Sequence, residues 1–151
     1  MNSEDFSSID AIINTAYAVI SGPAGKPRDW ECERALFLPG ARLIPTATRP
    51  GDNESHLMPQ LLDVEAYISR VEAFFRDKGF YETEVARRTE QFGQIAQVWS
   101  TYESRYNETD PEPFMRGINS IQLFNDGKRW WIVSIYWQHE SAQHSLPEKY
   151  L

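Results

Sequence analysis

The sequence has very little cysteine: among its 151 residues, only Cys32 carries a thiol. A single thiol cannot close a disulfide within the chain, and it cannot supply a cysteine-rich zinc site. Long hydrophobic runs are also absent, since none approaches the ~18 apolar residues that a membrane-spanning helix requires. The sequence therefore excludes a disulfide-stabilised scaffold and gives no sign of a helical membrane anchor.

Basic residues are in short supply as well. The chain has 15 Lys and Arg against 22 Asp and Glu, a formal net charge of −7. This balance disfavours nucleic acid and anionic membranes as partners. The segment Met1 to Asp10 lacks the basic start and apolar stretch of a signal peptide. We therefore expect a cytoplasmic protein with no nucleic-acid and no membrane partner.

Aromatic residues, in contrast, are abundant at 13%, within a hydrophobic content of 41%. A chain of this length can bury roughly two-thirds of the surface that its unfolded form exposes, which is enough for a core of its own. No repeat or composition boundary divides the sequence. We expect one domain over residues 1–151.

The first half of the chain predicts three helices. The first carries apolar side chains at steps of three and four from Phe6 to Ile20, the pattern of a helix packed by one face. A short second helix is predicted over Asp29 to Leu38, ended by Pro39-Gly40. The third begins at Asp63, which can cap it, and ends at Gly79, where a left-handed C-terminal cap is expected.

The segments outside these helices predict strands and one long loop. Ala41 to Thr46 is typical of a strand, although Pro45 lacks an amide hydrogen and should lie at an edge or end. Thr46 to Gln60 is polar and predicts a loop. After Gly79 the apolar period changes from 3.6 to 2, which predicts four strands. They are Phe80–Phe92, Gln94–Tyr106, Met115–Phe124 and Trp130–His139.

Asp126-Gly127 lies between the last two of these strands and is a strong hairpin signal, because such a turn needs a positive φ. Helices followed by an antiparallel meander predict an α+β domain.

The last strand is apolar on both faces. Alternation places Trp131, Val133, Ile135, Trp137 and His139 on the face that we assign inward. It places Trp130, Ile132, Ser134, Tyr136 and Gln138 on the other face. An apolar outer face predicts a second covering surface. We favour a homodimer through Trp130, Ile132 and Tyr136, and the alternative is cover from loops or the C-terminal tail.

This order of elements resembles the nuclear transport factor 2-like superfamily, which includes SnoaL-like cyclases, ketosteroid isomerase and scytalone dehydratase. The resemblance runs from about Phe6 to Glu140. It is most specific at Leu36–Ile44 and in the closing run from Asp126 to Glu140. It implies an α+β cone: three N-terminal helices packed in the concave face of a strongly curved antiparallel or mixed sheet. It also implies a cone-shaped pocket and dimers through the outer sheet face.

The isomerase branch of that superfamily uses a carboxylate base, together with a tyrosine and a protonated aspartate that both donate to the developing enolate oxygen. The resemblance puts Tyr17 at the tyrosine position, Pro45 at about the base position and Ser120 at about the aspartate position. Pro45 cannot move a proton, and a hydroxyl donates more weakly than a carboxyl group. Ketosteroid isomerase activity is therefore not expected.

Other groups remain available for acid–base chemistry or ligand binding. His139 is the favoured base among His56, His139 and His144 and the carboxylates Glu82, Glu84 and Glu103. Tyr17 is the candidate donor, and both it and His139 also have purely structural interpretations. Ser120 and Gln122 are expected to point into the interior, toward a ligand or within a structural network. His56 lies in the predicted loop, which could cover the mouth of the pocket.

Three functional hypotheses follow. The favoured one is a homodimeric pocket protein for a small apolar or aromatic molecule. Its expected ligand-binding residues are Tyr17, His56, Trp99, Ser120, Gln122, Ile135, Trp137 and His139. The second is a SnoaL-like isomerase, cyclase or dehydratase with a histidine base and Tyr17 as donor. The third is a protein–protein adaptor with a filled cone. No metal and no cofactor are expected, because His139 and His144 are five residues apart and would not share a helix face.

Overall fold

A computed structural model describes residues 2–48 and 57–151 of the chain. A short 3₁₀ helix, Ser3–Phe6, precedes three α-helices, and a second 3₁₀ helix, Glu148–Tyr150, lies near the C-terminus. The α-helices are α1 (Ile9–Ile20), α2 (Trp30–Leu36) and α3 (Val64–Asp77). Each begins at a side-chain cap: Ser8, Asp29 and Asp63 accept hydrogen bonds from backbone amides of the first turn, and the cap at Asp63 is the one predicted from the sequence.

Six strands form one curved, unclosed sheet with the order β2-β1-β6-β5-β4-β3. The strands are β1 (Phe37–Thr48), β2 (Leu57–Pro59), β3 (Tyr81–Phe92), β4 (Ile95–Arg105), β5 (Met115–Asn125) and β6 (Trp130–His139). Strand β1 runs parallel to β6, and all other neighbours are antiparallel. The predicted α+β cone with a mixed sheet is therefore confirmed.

The core lies between the helices and the concave, inner face of the sheet. Strand β4 shows the alternation most clearly, because Val98, Ser100 and Tyr102 are buried, whereas Trp99 between them is 41% exposed. Side chains of α1, among them Ile12 and Ile13, pack against this face within the same apolar cluster. The apolar stripe of α1 is thus the main cover of the inner face, as its periodicity predicts.

Strand β6 differs from the prediction because it contains a β-bulge. Gln122 of β5 pairs with Ser134 of β6, and the next residue, Leu123, pairs with Ile132. Val133 is therefore left without a partner in β5 and is the extra residue of the bulge. A bulge inverts the alternation of the residues beyond it. Trp130 and Ile132 are consequently buried in the core and do not belong to the outer face, while Tyr136, after the bulge, is 46% exposed.

The start of β1 also differs from the prediction. Helix α2 ends at Leu36, and Phe37 and Leu38 already belong to β1, so the predicted second helix is two residues too long. Pro39-Gly40 lies within the strand, at a register shift against β6. Pro45 lies inside β1 and not at its end. Its carbonyl accepts the Gln60 amide at 2.9 Å, so the ring faces the side of the short strand β2.

The predicted loop over Thr46 to Gln60 is only partly a loop. Strand β1 continues to Thr48 and β2 occupies Leu57–Pro59, while residues 49–56 lie outside the described part of the chain.

Gly79 follows α3 as predicted, but not as a left-handed cap. Its φ is not positive, in contrast to Gly40 and Gly127. A Cβ atom at Gly79 would lie 2.2 Å from the carbonyl oxygen of Tyr106, far inside van der Waals contact. Glycine is required there because two backbone segments approach each other closely.

Across residues 2–48 and 57–151, no helix combines the length and the apolar character that crossing a membrane would need.

Candidate functional site

A cavity of about 320 Å³ lies between the three helices and the inner sheet face. Helix α1 contributes Ile20, helix α3 contributes Val71, and the sheet contributes Ile121, Ile135 and Trp137. The wall is mostly apolar and aromatic. A cleft of this volume and lining is typical of a site for a small organic molecule.

Two carboxyl groups interrupt the apolar wall. Glu33 projects from α2 and is only 3% exposed, and Glu82 projects from the start of β3. The Ser104 hydroxyl on β4 donates to Glu82 Oε1 at 3.4 Å. Within the described part of the chain, the buried Oε2 atom of Glu33 has no hydrogen-bond partner. An ionised carboxylate in such surroundings is poorly solvated.

Burial raises the pKa of both carboxyl groups. The pKa of Glu33 is raised to about 8, first by burial and second by the negative charge of Glu82. The pKa of Glu82 is raised to about 7 by burial, against the opposing effect of the Ser104 hydrogen bond. Two carboxyl groups that titrate near neutrality in one cavity can exchange protons with a ligand.

Tyr17 lies in the cavity wall, but its hydroxyl group is already engaged. Asn119 Nδ2 donates to Tyr17 Oη at 3.0 Å, and the hydroxyl groups of Tyr17 and Ser100 are 2.6 Å apart. Ser100 in turn is hydrogen-bonded to Glu84, so Tyr17 donates to Ser100 when Ser100 donates to that carboxylate. Burial, together with the charge of Glu82, raises the pKa of Tyr17. Tyr17 is thus part of a structural network.

Tyr102 has a buried hydroxyl group that is unengaged. Its Oη is buried and makes no hydrogen bond with any described residue. Glycine at position 117 makes room for it, because a Cβ there would lie 2.5 Å from Tyr102 Oη and 2.4 Å from the Gln138 carbonyl oxygen. Burial and the charge of Glu82 raise the pKa of Tyr102, which keeps it a neutral donor.

The structure divides the predicted site residues between two faces of the sheet. Tyr17, Ile135 and Trp137 line the cavity, as expected. His56 is outside the described residues. Ser120 and Gln122 were expected inside, but β5 turns Asn119 and Ile121 inward, so both point to the outer face.

Trp99 and His139 do not line the cavity either. Trp99 belongs to the outer face, and His139 is exposed at the end of β6. Together with Ser120 they line a groove of about 590 Å³ between the outer face and the C-terminal tail. His139 therefore lies in the wall of this groove and not in that of the cone.

The C-terminal tail covers part of this groove. The Tyr150 ring lies against Trp99 with 5.9 Å between ring centroids, and Arg88 donates to the Lys149 carbonyl oxygen at 2.8 Å. Glu140 pairs with Arg116 at 2.7 Å and holds the turn into the tail. The C-terminal tail thus covers Trp99 in part, and 41% of the Trp99 surface stays exposed.

Two site residues, Glu33 and Tyr102, are absent from the sequence-based set. Glu33 nevertheless lies three residues after Trp30 and three before Leu36. This spacing puts Glu33 on the same helix face as these two apolar residues, the apolar stripe of α2. A carboxylate on such a stripe is a signal of a polar group inside the protein. Tyr102 lies on the buried face of β4 with Ser100 and Ser104, where an aromatic residue is usual, and so it offers no comparable signal.

Comparisons with known proteins identify the fold. No family model matches the chain, and no curated protein sequence matches it. Solved structures do match, and one is a nuclear transport factor 2-like protein of unknown function from Pseudomonas putida. It is 10% identical with a TM-score of 0.65, over 97% of this chain and 96% of that one.

Two further crystal structures agree with this fold. A protein of unknown function with a cystatin-like fold, from Nostoc punctiforme, is 10% identical with a TM-score of 0.63, over 91% of this chain and 96% of that one. A putative calcium/calmodulin-dependent protein kinase II association domain from Xanthomonas campestris is 13% identical with a TM-score of 0.63, over 94% and 99%. The chain therefore has the nuclear transport factor 2-like, cystatin-like fold. A fold shared by proteins of many activities does not assign a reaction.

Proposed function

We propose that this protein, with its nuclear transport factor 2-like fold, binds a small and largely apolar or aromatic molecule in the cone. The observation that carries the proposal is the cavity itself: about 320 Å³ between the helices and the inner sheet face. An adaptor with a filled cone would have no such space. The unengaged groups of Glu33 and Tyr102 supply the few polar contacts that orient a ligand in an apolar pocket.

Filling the cavity is expected to abolish binding. Val71 lines the cavity from α3, and Val71→Trp would place a large ring where the ligand lies. We expect the affinity for 2-naphthaleneethanol, measured by calorimetry, to fall at least about tenfold, because a ligand loses roughly 25 cal/mol for each Å² of apolar contact area. The matched control is Val133→Trp, since Val133 is exposed on the opposite side of the sheet. Equal affinities for the two variants would contradict binding in the cone.

A second candidate function is general acid–base catalysis in the same cavity. The specific observation is that Glu33 and Glu82 have pKa values raised to about 8 and about 7 beside a neutral tyrosine donor, Tyr102. A base with such a pKa can remove a proton next to a carbonyl group while a hydroxyl group stabilises the enolate oxygen. The test is hydrogen–deuterium exchange of 2-tetralone followed by NMR. Exchange that is faster than in buffer and lost in Glu82→Gln supports catalysis, and buffer-level exchange contradicts it.

We also propose that two copies associate through the outer sheet face. Trp99, Val133 and Tyr136 leave 41%, 37% and 46% of their surfaces exposed there. Tyr136 is kept from the sequence-based interface, while Trp99 and Val133 take the place of the buried Trp130 and Ile132. Sedimentation should give about twice 17.5 kDa. A stable monomer at micromolar concentration would contradict the association.

The cytoplasm is the proposed site of action, because the buried thiol of Cys32 is free and free thiols are usual in a reducing compartment. Cell fractionation tests this.

A further inference from the structure

Apart from tyrosines, the ionisable side chains of the cavity wall are both carboxylic acids. Glu33 and Glu82 are acids, and among the lining residues that the structure describes none is Lys, Arg or His. Arg28 is buried nearby, but its guanidinium donates to four backbone carbonyl oxygens, including Ile20 at 2.9 Å and Gly22 at 2.8 Å. Among the residues that the structure describes, Glu33 and Glu82 therefore have no basic side chain in the cavity wall to pair with.

Neighbouring elements do not neutralise the two acids. The groups that face them are Tyr17 on α1, Tyr67 on α3 and Tyr102 on β4, whose pKa values are all raised by burial. These hydroxyl groups stay neutral and carry no positive charge. The next carboxylate, Glu84 on β3, is paired with Arg87 at 2.6 Å, so that cation is already engaged.

The polar atoms of the site are short of hydrogen-bond donors. Glu33 is 97% withdrawn from solvent, and its Oε2 lacks a partner among the described residues, although a carboxylate oxygen accepts more than one hydrogen bond. Leaving a buried acceptor unsatisfied is unfavourable, and most such groups in proteins are paired. In the ligand-free protein the Glu33 carboxyl group keeps a proton near neutral pH, and a ligand with N–H donors and a positive charge would replace that proton and satisfy both the hydrogen bond and the charge.

Aromatic rings complete the surroundings of such a cation. Tyr67 and Trp137 pack edge to face at 6.1 Å between centroids, and Phe74 and Phe80 do so at 6.0 Å. All four residues line the cavity. Aromatic faces attract ammonium groups through the ring quadrupole, and the attraction increases where water is excluded.

We propose that the molecule bound in the cone is an organic cation, in which an apolar or aromatic body carries an ammonium group that lies against Glu33 and Glu82. This inference rests on the proposed ligand-binding function and narrows its chemical class. Neutral compounds of the same shape bind less tightly because they leave the carboxyl groups unpaired. Carboxylic acids bind least, because a second anion is added to an acidic and desolvated site.

Binding of an ammonium group changes the protonation of the site. The bound cation favours the ionised carboxylates, so the complex releases protons when it forms at neutral pH. The affinity for an amine should therefore rise as the pH increases from about 6 to about 8, the range in which Glu82 and Glu33 ionise. The affinity for a neutral ligand should not rise with pH over this range.

The experiment compares three compounds with one aromatic body: 2-(2-naphthyl)ethylamine, 2-naphthaleneethanol and 2-naphthylacetate. Their affinities for the full chain are measured by calorimetry at pH 7.5. We expect the amine to bind at least about tenfold more tightly than the alcohol, and the acetate to bind least. Glu33→Gln and Glu82→Gln, which keep the side-chain shape, should each weaken the amine about tenfold and leave the alcohol within about twofold. Glu31→Gln is the control, because Glu31 is an exposed acid on the same helix.

The outcomes separate this inference from the proposed function. An alcohol that binds as tightly as the amine overturns the inference and leaves the binding site in place. An amine whose affinity is unchanged in both Gln variants also overturns it, because the cation is then held elsewhere. Failure of all three compounds to bind counts against the binding function itself, and the inference falls with it.

Discussion

Replacing Glu33 by Gln is expected to remove most of the pH dependence of stability of the ligand-free protein between about pH 5 and pH 9. The folded chain raises the pKa of Glu33 from 4.5 to about 8, so the folded state holds a proton that the unfolded state releases. Such a group favours folding most strongly below pH 4.5, and this contribution is lost as the pH rises through 8. At about 1.4 kcal/mol per pKa unit, the change is on the order of a few kcal/mol.

Urea unfolding at a series of pH values measures this effect. The wild-type chain should lose stability steadily from about pH 5 to pH 9, whereas Glu33→Gln should lose much less and should be the more stable protein at pH 9. Glu82→Gln should flatten the curve near pH 7. The control, Glu31→Gln, should follow the wild type. Parallel curves for Glu33→Gln and the wild type would mean that Glu33 is not held protonated in the folded chain.

The second large effect is expected from Ile132 in strand β6. Ile132 is completely buried, and Ile132→Ala should lower the free energy of unfolding by about 2–5 kcal/mol, because the lost methyl and methylene groups leave a cavity. Val133→Ala at the adjacent position should cost less than about 1 kcal/mol, since Val133 is 37% exposed. Both values come from denaturant unfolding.

This pair of substitutions tests the bulge in β6 directly. Strict alternation, which places Ile132 on the outer face and Val133 on the inner face, predicts the reverse order of the two losses. A larger loss at Val133 than at Ile132 would contradict the observed register.

The elements that could be predicted from sequence depend on local rules. Helix α1 and helix α3 follow from the 3.6-residue period, and α3 also from its cap at Asp63. The hairpin between β5 and β6 follows from Asp126-Gly127, and Gly127 indeed has a φ of +95°. Each of these signals comes from neighbouring residues, and tertiary contacts do not alter it.

The faces of the strands were less predictable, because a bulge depends on how two strands pair. One extra residue at Val133 reverses the assignment of Trp130 and Ile132. In β5 the two candidate faces were Ile118 with Ser120, and Asn119 with Ile121, and both mix polar and apolar residues. The prediction chose the first pair, whereas the structure turns the second pair inward, where Asn119 can donate to Tyr17.

The candidate site was predicted only in part for a related reason. Of the expected ligand-binding residues, Tyr17, Ile135 and Trp137 line the cavity. Glu33 was missed, because a charged residue in a short helix is most often solvent-exposed. Only its position on the apolar stripe of α2 indicated otherwise. Tyr102 replaces Tyr17 as the proposed donor because Asn119 and Ser100 engage the Tyr17 hydroxyl group, and such contacts depend on the three-dimensional fold.

Intermolecular nuclear Overhauser effects between 2-naphthaleneethanol and methyl-labelled protein test most directly where a ligand binds. The cone is lined by the methyl groups of Ile121 and Ile135, and the outer groove by those of Ile118 and Leu146. Our account predicts contacts from the naphthyl protons to Ile121 and Ile135. Contacts confined to Ile118 and Leu146, or no contacts at saturating ligand, would contradict it.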